Sequence, residues 1–229
     1  MQLSAVVALA AIVVVGAILL SGGDDKTITV PEPPRSTEAT NVQDVYKDIP
    51  QHGISLGNRR APVTLVEIAD LQCPFCAAYS REALPTVVRD YVRTGRISYE
   101  LHFRSFLGRD SVRAAGAAAY AARENRMYQF ADLFYRHQGP EESGYADRAF
   151  IESIAQLAGV DTAKAAAAAD DPLSFPAVKA GETFARRLGS TGTPDFYVRK
   201  GAGRLAPLDV QGTAPEDYAR ALDAALRAT

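Results

Sequence analysis

The sequence predicts an α/β fold with a helical insertion, and three stretches predict it. In VTLVEIA, residues 63–69, only Thr64 and Glu67 interrupt an apolar run, as in a central strand covered on both faces. After a helical pattern, Ile97, Tyr99, Leu101 and Phe103 alternate with Ser98, Glu100, His102 and Arg104, the period of a half-buried strand that completes a βαβ unit. Helical signals then fill about 108–189, ahead of a closing ββα half.

Taken in order, the chain begins with 23 residues that carry no side-chain charge, and Leu3 to Leu20 is apolar except for Ser4 and Gly16. As a helix this stretch is about 27 Å long, close to the hydrocarbon thickness of a bilayer. Residues 1–22 are therefore expected to be a transmembrane anchor. A cleaved signal segment is the competitor, although a basic start and a clear small-residue cleavage site are missing. Pro31, Pro33 and Pro34 then fall within a polar stretch of little apolar periodicity, so 23–52 are expected to be a flexible, proline-containing linker. The folded domain is expected at 53–229.

Within that domain Pro74 suits the first position of a helix, which should continue to about Gly95 with a kink at Pro85. The insertion contains SVRAAGAAAYAARENRMYQFADLFYRH, DRAFIESIAQLAG and the alanine run 165–169, enough for three to five helices. Tyr128, Phe130, Phe134 and Tyr135 stand at helical spacing and read as core. Asp110 and Ser111 look like helix caps. DFYVRK and RLAPLDVQ flank GAG as a hairpin, and Thr213 with Glu216 forms a capping-box pattern before Tyr218, Leu222 and Leu226.

Composition excludes several functions. A net charge of −2 from 25 basic and 27 acidic residues, with no Lys/Arg run, offers nothing to attract nucleic acid. No Ser-His-Asp set or phosphate loop has a supporting motif, and no cofactor is expected. The two cysteines, Cys73 and Cys76, stand three apart in DLQCPFCAAY. Structural zinc wants four ligands, and His52, His102 and His137 are scattered, so no metal site is expected. A purely structural disulfide would close too small a loop to restrain the unfolded chain much. A redox pair remains. With Pro74 as the first helical residue, Cys73 is the N-cap, where unpaired N–H groups and the helix dipole favour thiolate over thiol. Cys73 is the expected nucleophile and leaving group, and Cys76, one turn on, the resolving thiol.

The strand VTLVEIAD, the motif Cys73-Pro74-Phe75-Cys76 at a helix start, the helical insertion and Thr193-Pro194 before a hairpin together resemble the DsbA-type thiol:disulfide oxidoreductases. Within that family the chain is most similar to the membrane-anchored branch of Gram-positive and actinobacterial type, over roughly 53–229. The resemblance implies a thioredoxin fold, a cis Pro194 beside the disulfide, and Thr193 lending backbone groups to a bound peptide. It matches Glu67 to the family's buried acid, which would relay a proton to or from Cys76; a glutamate at a strand end that reaches water is the plain alternative. Pro74 and Phe75 would tune the thiolate, and Phe75 could equally be an apolar contact for substrate. Family oxidants often carry His where Phe75 stands, and Thr before the cis-proline is common among isomerase-like and reducing relatives, so the direction of exchange stays open.

The function expected is that of a single-pass cell-membrane protein whose extracytoplasmic domain passes its disulfide to exported unfolded or reduced proteins. A membrane redox partner, DsbB- or VKOR-like, would reoxidise the pair. A reductase or isomerase with the same residues is the nearest alternative, and a non-catalytic peptide-binding or chaperone-like module is the other.

Overall fold

The computed structural model describes residues 36–210 and 212–227. Its first element, α1 (Ser36–Tyr46), lies where the sequence suggests a linker, so from residue 36 onward that expectation is corrected. Val42 and Tyr46 are buried in the main core, and the Tyr46 hydroxyl donates to Asp132 Oδ2 at 3.3 Å. Four apolar residues, Ala39, Val42, Val45 and Tyr46, in one short segment leave little periodicity to detect, and most helical stability comes from tertiary packing rather than propensity. The expected anchor at 1–22 and the linker up to residue 35 lie outside the described residues. Among the described residues no helix is long and apolar enough to cross a membrane.

The sheet consists of β1 (Gln51–His52), β2 (Ser55–Leu56), β3 (Val63–Ala69), β4 (Ile97–Phe103), β5 (Asp195–Lys200) and β6 (Ala206–Pro207), in the order β1-β2-β4-β3-β5-β6. β3 runs parallel to β4 and antiparallel to β5, which sets Glu67 beside Leu101 on one side and Phe196 on the other. Every residue of β3 is buried, as its continuous apolar run requires. Val63, Leu65 and Ala69 join the main core, whereas Val66 and Ile68 join a smaller cluster on the opposite face with Ala185 and Tyr197. Glu67 follows the phase of Leu65 and Ala69 and so points into the larger core.

The crossover from β3 to β4 is α2 (Pro74–Glu82), α3 (Leu84–Val87) and a π turn at Val88–Val92. The expected single helix breaks at Ala83, because Pro85 has no N–H to offer the carbonyl four residues back. Tyr79 of α2 packs on Phe196 and Tyr218, each with ring centroids 4.7 Å away.

Five helices follow β4: α4 (Arg109–Arg123), α5 (Met127–Arg136), α6 (Arg148–Ala158), α7 (Thr162–Asp170) and α8 (Pro176–Leu188). Asp147 caps α6 by accepting from Phe150 N, and Asp161 caps α7 by accepting from Lys164 N. Asp110 and Ser111, expected as caps, lie inside the first turn of α4 and are buried, because both side chains bond to other segments. The chain ends its described part in α9 (Pro215–Arg227), which buries Tyr218, Leu222 and Ala225. Its start at Pro215 displaces the expected capping box, and the Thr213 hydroxyl instead donates to Glu82.

Gly181 lets α8 press onto the end of β4: a Cβ there would lie 2.2 Å from the Phe103 carbonyl oxygen. Alanine has the better helix propensity by about 1 kcal/mol, yet Gly181→Ala should destabilise the protein by about 1–3 kcal/mol through overpacking. Denaturant unfolding decides between the two effects, and a variant at least as stable as the parent would contradict this contact.

Candidate active site at the start of helix α2

The fully buried strand β3 stops at Ala69, and Asp70, Leu71 and Gln72 turn the chain into α2. Cys73 is the N-cap, with extended backbone (φ −71°, ψ 120°), and Pro74 takes the first helical position, where a missing N–H costs nothing. The turn is closed by Cys73 N donating to the Asp70 carbonyl at 3.0 Å. From α5 and the residues after it, the Tyr135 hydroxyl also donates to the Asp70 carbonyl at 3.3 Å. The Gln138 amide donates to the Leu71 carbonyl at 2.8 Å and the Cys73 carbonyl at 3.3 Å. Sequence reasoning missed Tyr135 and Gln138 as site supports, since each lies more than sixty residues from the turn it holds.

Both cysteines are free thiols in this structure. Cys73 is 4% exposed and Cys76 is fully buried. In its thiol form Cys73 Sγ donates to the Thr193 carbonyl at 3.2 Å, and the Thr193–Pro194 peptide is cis. The Thr193 hydroxyl is buried without a hydrogen-bond partner. Pro74 and Phe75 stand outside, Phe75 at 69% exposed. Nearby in sequence to the end of β4, the exposed ring of Phe106 is covered by the Arg104 guanidinium at 4.6 Å, and Arg104 Nη1 donates to the Ser190 carbonyl at 2.9 Å.

The two sulfurs sit in opposed environments. A hydrogen bond from Cys76 stabilises the Cys73 thiolate, outweighing burial. Smaller contributions from the N–H groups of Cys76 and Phe75 act the same way and bring the Cys73 thiol down to about 6. Burial pushes the Cys76 thiol well up, and its bond to Cys73 and the charge of Glu67 push the same way. At neutral pH the pair therefore holds one thiolate, at Cys73, and one thiol, at Cys76.

Glu67 is 2% exposed and does not reach water. The Tyr99 hydroxyl donates to its Oε2, while Oε1 is buried without a partner. Burial raises the carboxyl to about 8 in spite of the Tyr99 bond, and the negative charge of Cys73 adds to the rise. A neutral carboxylic acid thus lies inside the core beside the dithiol. Among the described residues no group of three or more His, Cys, Asp or Glu is placed to hold a metal ion.

A thiolate at a helix N-cap, a protonated resolving thiol behind it and a cis-proline loop across from it are the apparatus of thiol:disulfide exchange, here on a sheet interrupted by a helical unit in the DsbA manner. The chain belongs to the thioredoxin family, whose model matches residues 50–204. It is similar to the probable disulfide bond formation protein D of Bacillus anthracis, with 28% identity over 160 residues, covering 68% of this chain and 72% of that one. To the protein of the same name in Bacillus cereus it is 32% identical over 103 residues, and there the match spans only 47% of the relative's length. The crystal structure of oxidised BdbD from Bacillus subtilis superposes with a TM-score of 0.67 at 18% identity, covering 77% of this chain and 94% of that one. That of alpha-DsbA1 from Wolbachia pipientis superposes with 0.65 at 18% identity, over 80% and 92%. At such identity these structures share the fold.

Two measurements check the electrostatics. Alkylation of Cys73 in the reduced protein should reach half its maximal rate near pH 6, and Cys76→Ala, by removing the foremost stabilising bond, should move that midpoint upward. For Glu67 the folded value of about 8 lies above the unfolded one. Its contribution to stability is therefore fully present below about pH 4 and is lost as pH rises through 8. Glu67→Gln cannot titrate, so the reduced variant should gain on the parent across that window by at most about 1.4 kcal/mol per pH unit. Parallel stability curves would contradict a buried, neutral Glu67.

Proposed function

We propose that this protein is an extracytoplasmic thiol:disulfide oxidoreductase that donates the Cys73–Cys76 disulfide to exported, reduced proteins. The observation that carries this reading is the opposed setting of the two sulfurs, Cys73 favoured as thiolate and Cys76 as thiol. In the oxidised enzyme a substrate thiolate attacks Cys73, the less buried sulfur. The Cys73–Cys76 bond breaks, and Cys76 leaves with the electron pair. Cys76 then takes a proton from Glu67, whose charge is felt at that sulfur. A second substrate thiolate attacks the substrate sulfur of the mixed disulfide, and Cys73 departs as the stabilised thiolate. The substrate has lost two electrons and the enzyme has gained them. Thr193 and Pro194 flank the attacked sulfur and would align the substrate backbone, while exposed Phe75 offers an apolar contact. An anchor at 1–22 would keep the domain at the membrane, near a DsbB- or VKOR-like partner that returns the pair to the disulfide.

One observation favours a second reading. A Cys73 value of about 6 lies nearer that of thioredoxin, about 7, than that of DsbA, about 3.5. Phe75, which cannot stabilise a thiolate as His would, is consistent with it. A milder oxidant or an isomerase would use the same residues.

The test is the reduction potential of the pair, set by glutathione buffers and read by alkylation, together with Cys73→Ser, which should abolish exchange. The expected potential lies between about −120 and −200 mV. A value near −270 mV, that of thioredoxin, would reverse the direction proposed. Failure to find a reversible couple would leave the binding-module alternative.

A further inference from the structure

Two buried polar residues of the nucleophile's own turn have no part in the exchange chemistry above. Asp70 is fully buried, and all its neighbours donate: Gln72 N at 2.9 Å and the Ser111 hydroxyl to Oδ1, Phe106 N at 2.9 Å and Leu107 N at 3.0 Å to Oδ2. Four donors and no acceptor suit an ionised carboxylate. Gln72, 1% exposed, uses both ends of its amide. Nε2 donates to the Leu107 carbonyl at 2.6 Å, to Ser111 Oγ at 3.2 Å and to Glu142 Oε1 at 3.3 Å, and Oε1 accepts from Glu142 N at 2.9 Å. Ser111 Oγ, giving to Asp70 and accepting from Gln72, joins the two. All the partners outside the turn belong to the segment leading into the inserted helices or to the insertion itself.

The main chain of Asp70 meets the nucleophile: its carbonyl accepts from Cys73 N at 3.0 Å. The side chain of Asp70 thus anchors the backbone carbonyl that holds the nucleophile's N–H at the start of α2. Burying a carboxylate and an amide is costly unless every lone pair and proton is used, and here the bonds converge on this turn.

We infer that Asp70 and Gln72 are positioning residues, a clamp through which the inserted helical unit sets the reduction potential of the Cys73–Cys76 pair. Neither side chain touches a reacting sulfur. The inference rests on the exchange reading given above. With the clamp loosened, Cys73 loses its alignment on the N-terminal N–H groups of α2, so its thiolate and with it the reduced pair are less favoured.

The experiment compares the full chain with Asp70→Asn, Gln72→Met and Ser111→Ala, measuring the glutathione equilibrium, the Cys73 alkylation midpoint and thermal unfolding. Asp70→Asn turns an amide NH2 toward two donors, and Gln72→Met keeps length without polarity. Each should lower the equilibrium constant for oxidising glutathione by about fivefold, roughly 20 mV, and raise the alkylation midpoint; Ser111→Ala should shift both less, in the same direction. Should Asp70→Asn fail to fold, Gln72→Met and Ser111→Ala decide, since both leave the carboxylate in place. Folded variants that lose thermal stability but keep the wild-type potential and midpoint overturn the inference alone. A wild-type protein without a reversible couple overturns the exchange reading and the inference with it.

Discussion

The sulfurs of Cys73 and Cys76 lie in unlike surroundings, one favouring the thiolate and the other the thiol, and the rest of the site follows from that inequality. On the Cys73 side lie the unpaired N–H groups at the start of α2, which favour negative charge. On the Cys76 side lie the packed core and the Glu67 carboxyl, which disfavour it. In the exchange proposed above, the lesser burial of Cys73 would direct attack to it, and its favoured thiolate would then speed its departure from the mixed disulfide.

Holding that inequality requires polar groups inside an apolar core. Glu67 is tolerated there because it is neutral near physiological pH and because Tyr99 supplies a donor to one oxygen. Tyr99 is itself held by Tyr128, whose hydroxyl donates to the Tyr99 carbonyl at 2.9 Å and to the Ile54 carbonyl at 2.7 Å. Asp70 is tolerated by the opposite means, since four donors meet its charge. One carboxyl is neutral and under-bonded, the other charged and fully bonded. The first is suited to moving a proton and the second to keeping a backbone in place.

How much could be read beforehand depended on the range of the interaction. The continuous apolar run of β3, the alternation of β4, the position of Pro74 and the spacing of the cysteines are local patterns, and each element they imply is present in the structure. The phase of Glu67 along β3 pointed it inward, and it is buried. α1 was not legible, because Val42 and Tyr46 gain their place from residues more than eighty positions away, among them Asp132. Asp110, Ser111 and Thr213 misled for a related reason: each has the composition of a cap, but a more distant partner competes for its side chain.

The sequence alone determined the kind of chemistry available, a CxxC dithiol at a helix start, because helix entry, proline placement and apolar periodicity act over a few residues. Tertiary structure alone decided how deeply Cys76 and Glu67 are buried and what holds the nucleophile's turn. Those depend on burial and on hydrogen bonds that join residue 67 to 99, residue 70 to 111 and residue 73 to 193, and desolvation acts only once the chain has closed around the group it surrounds.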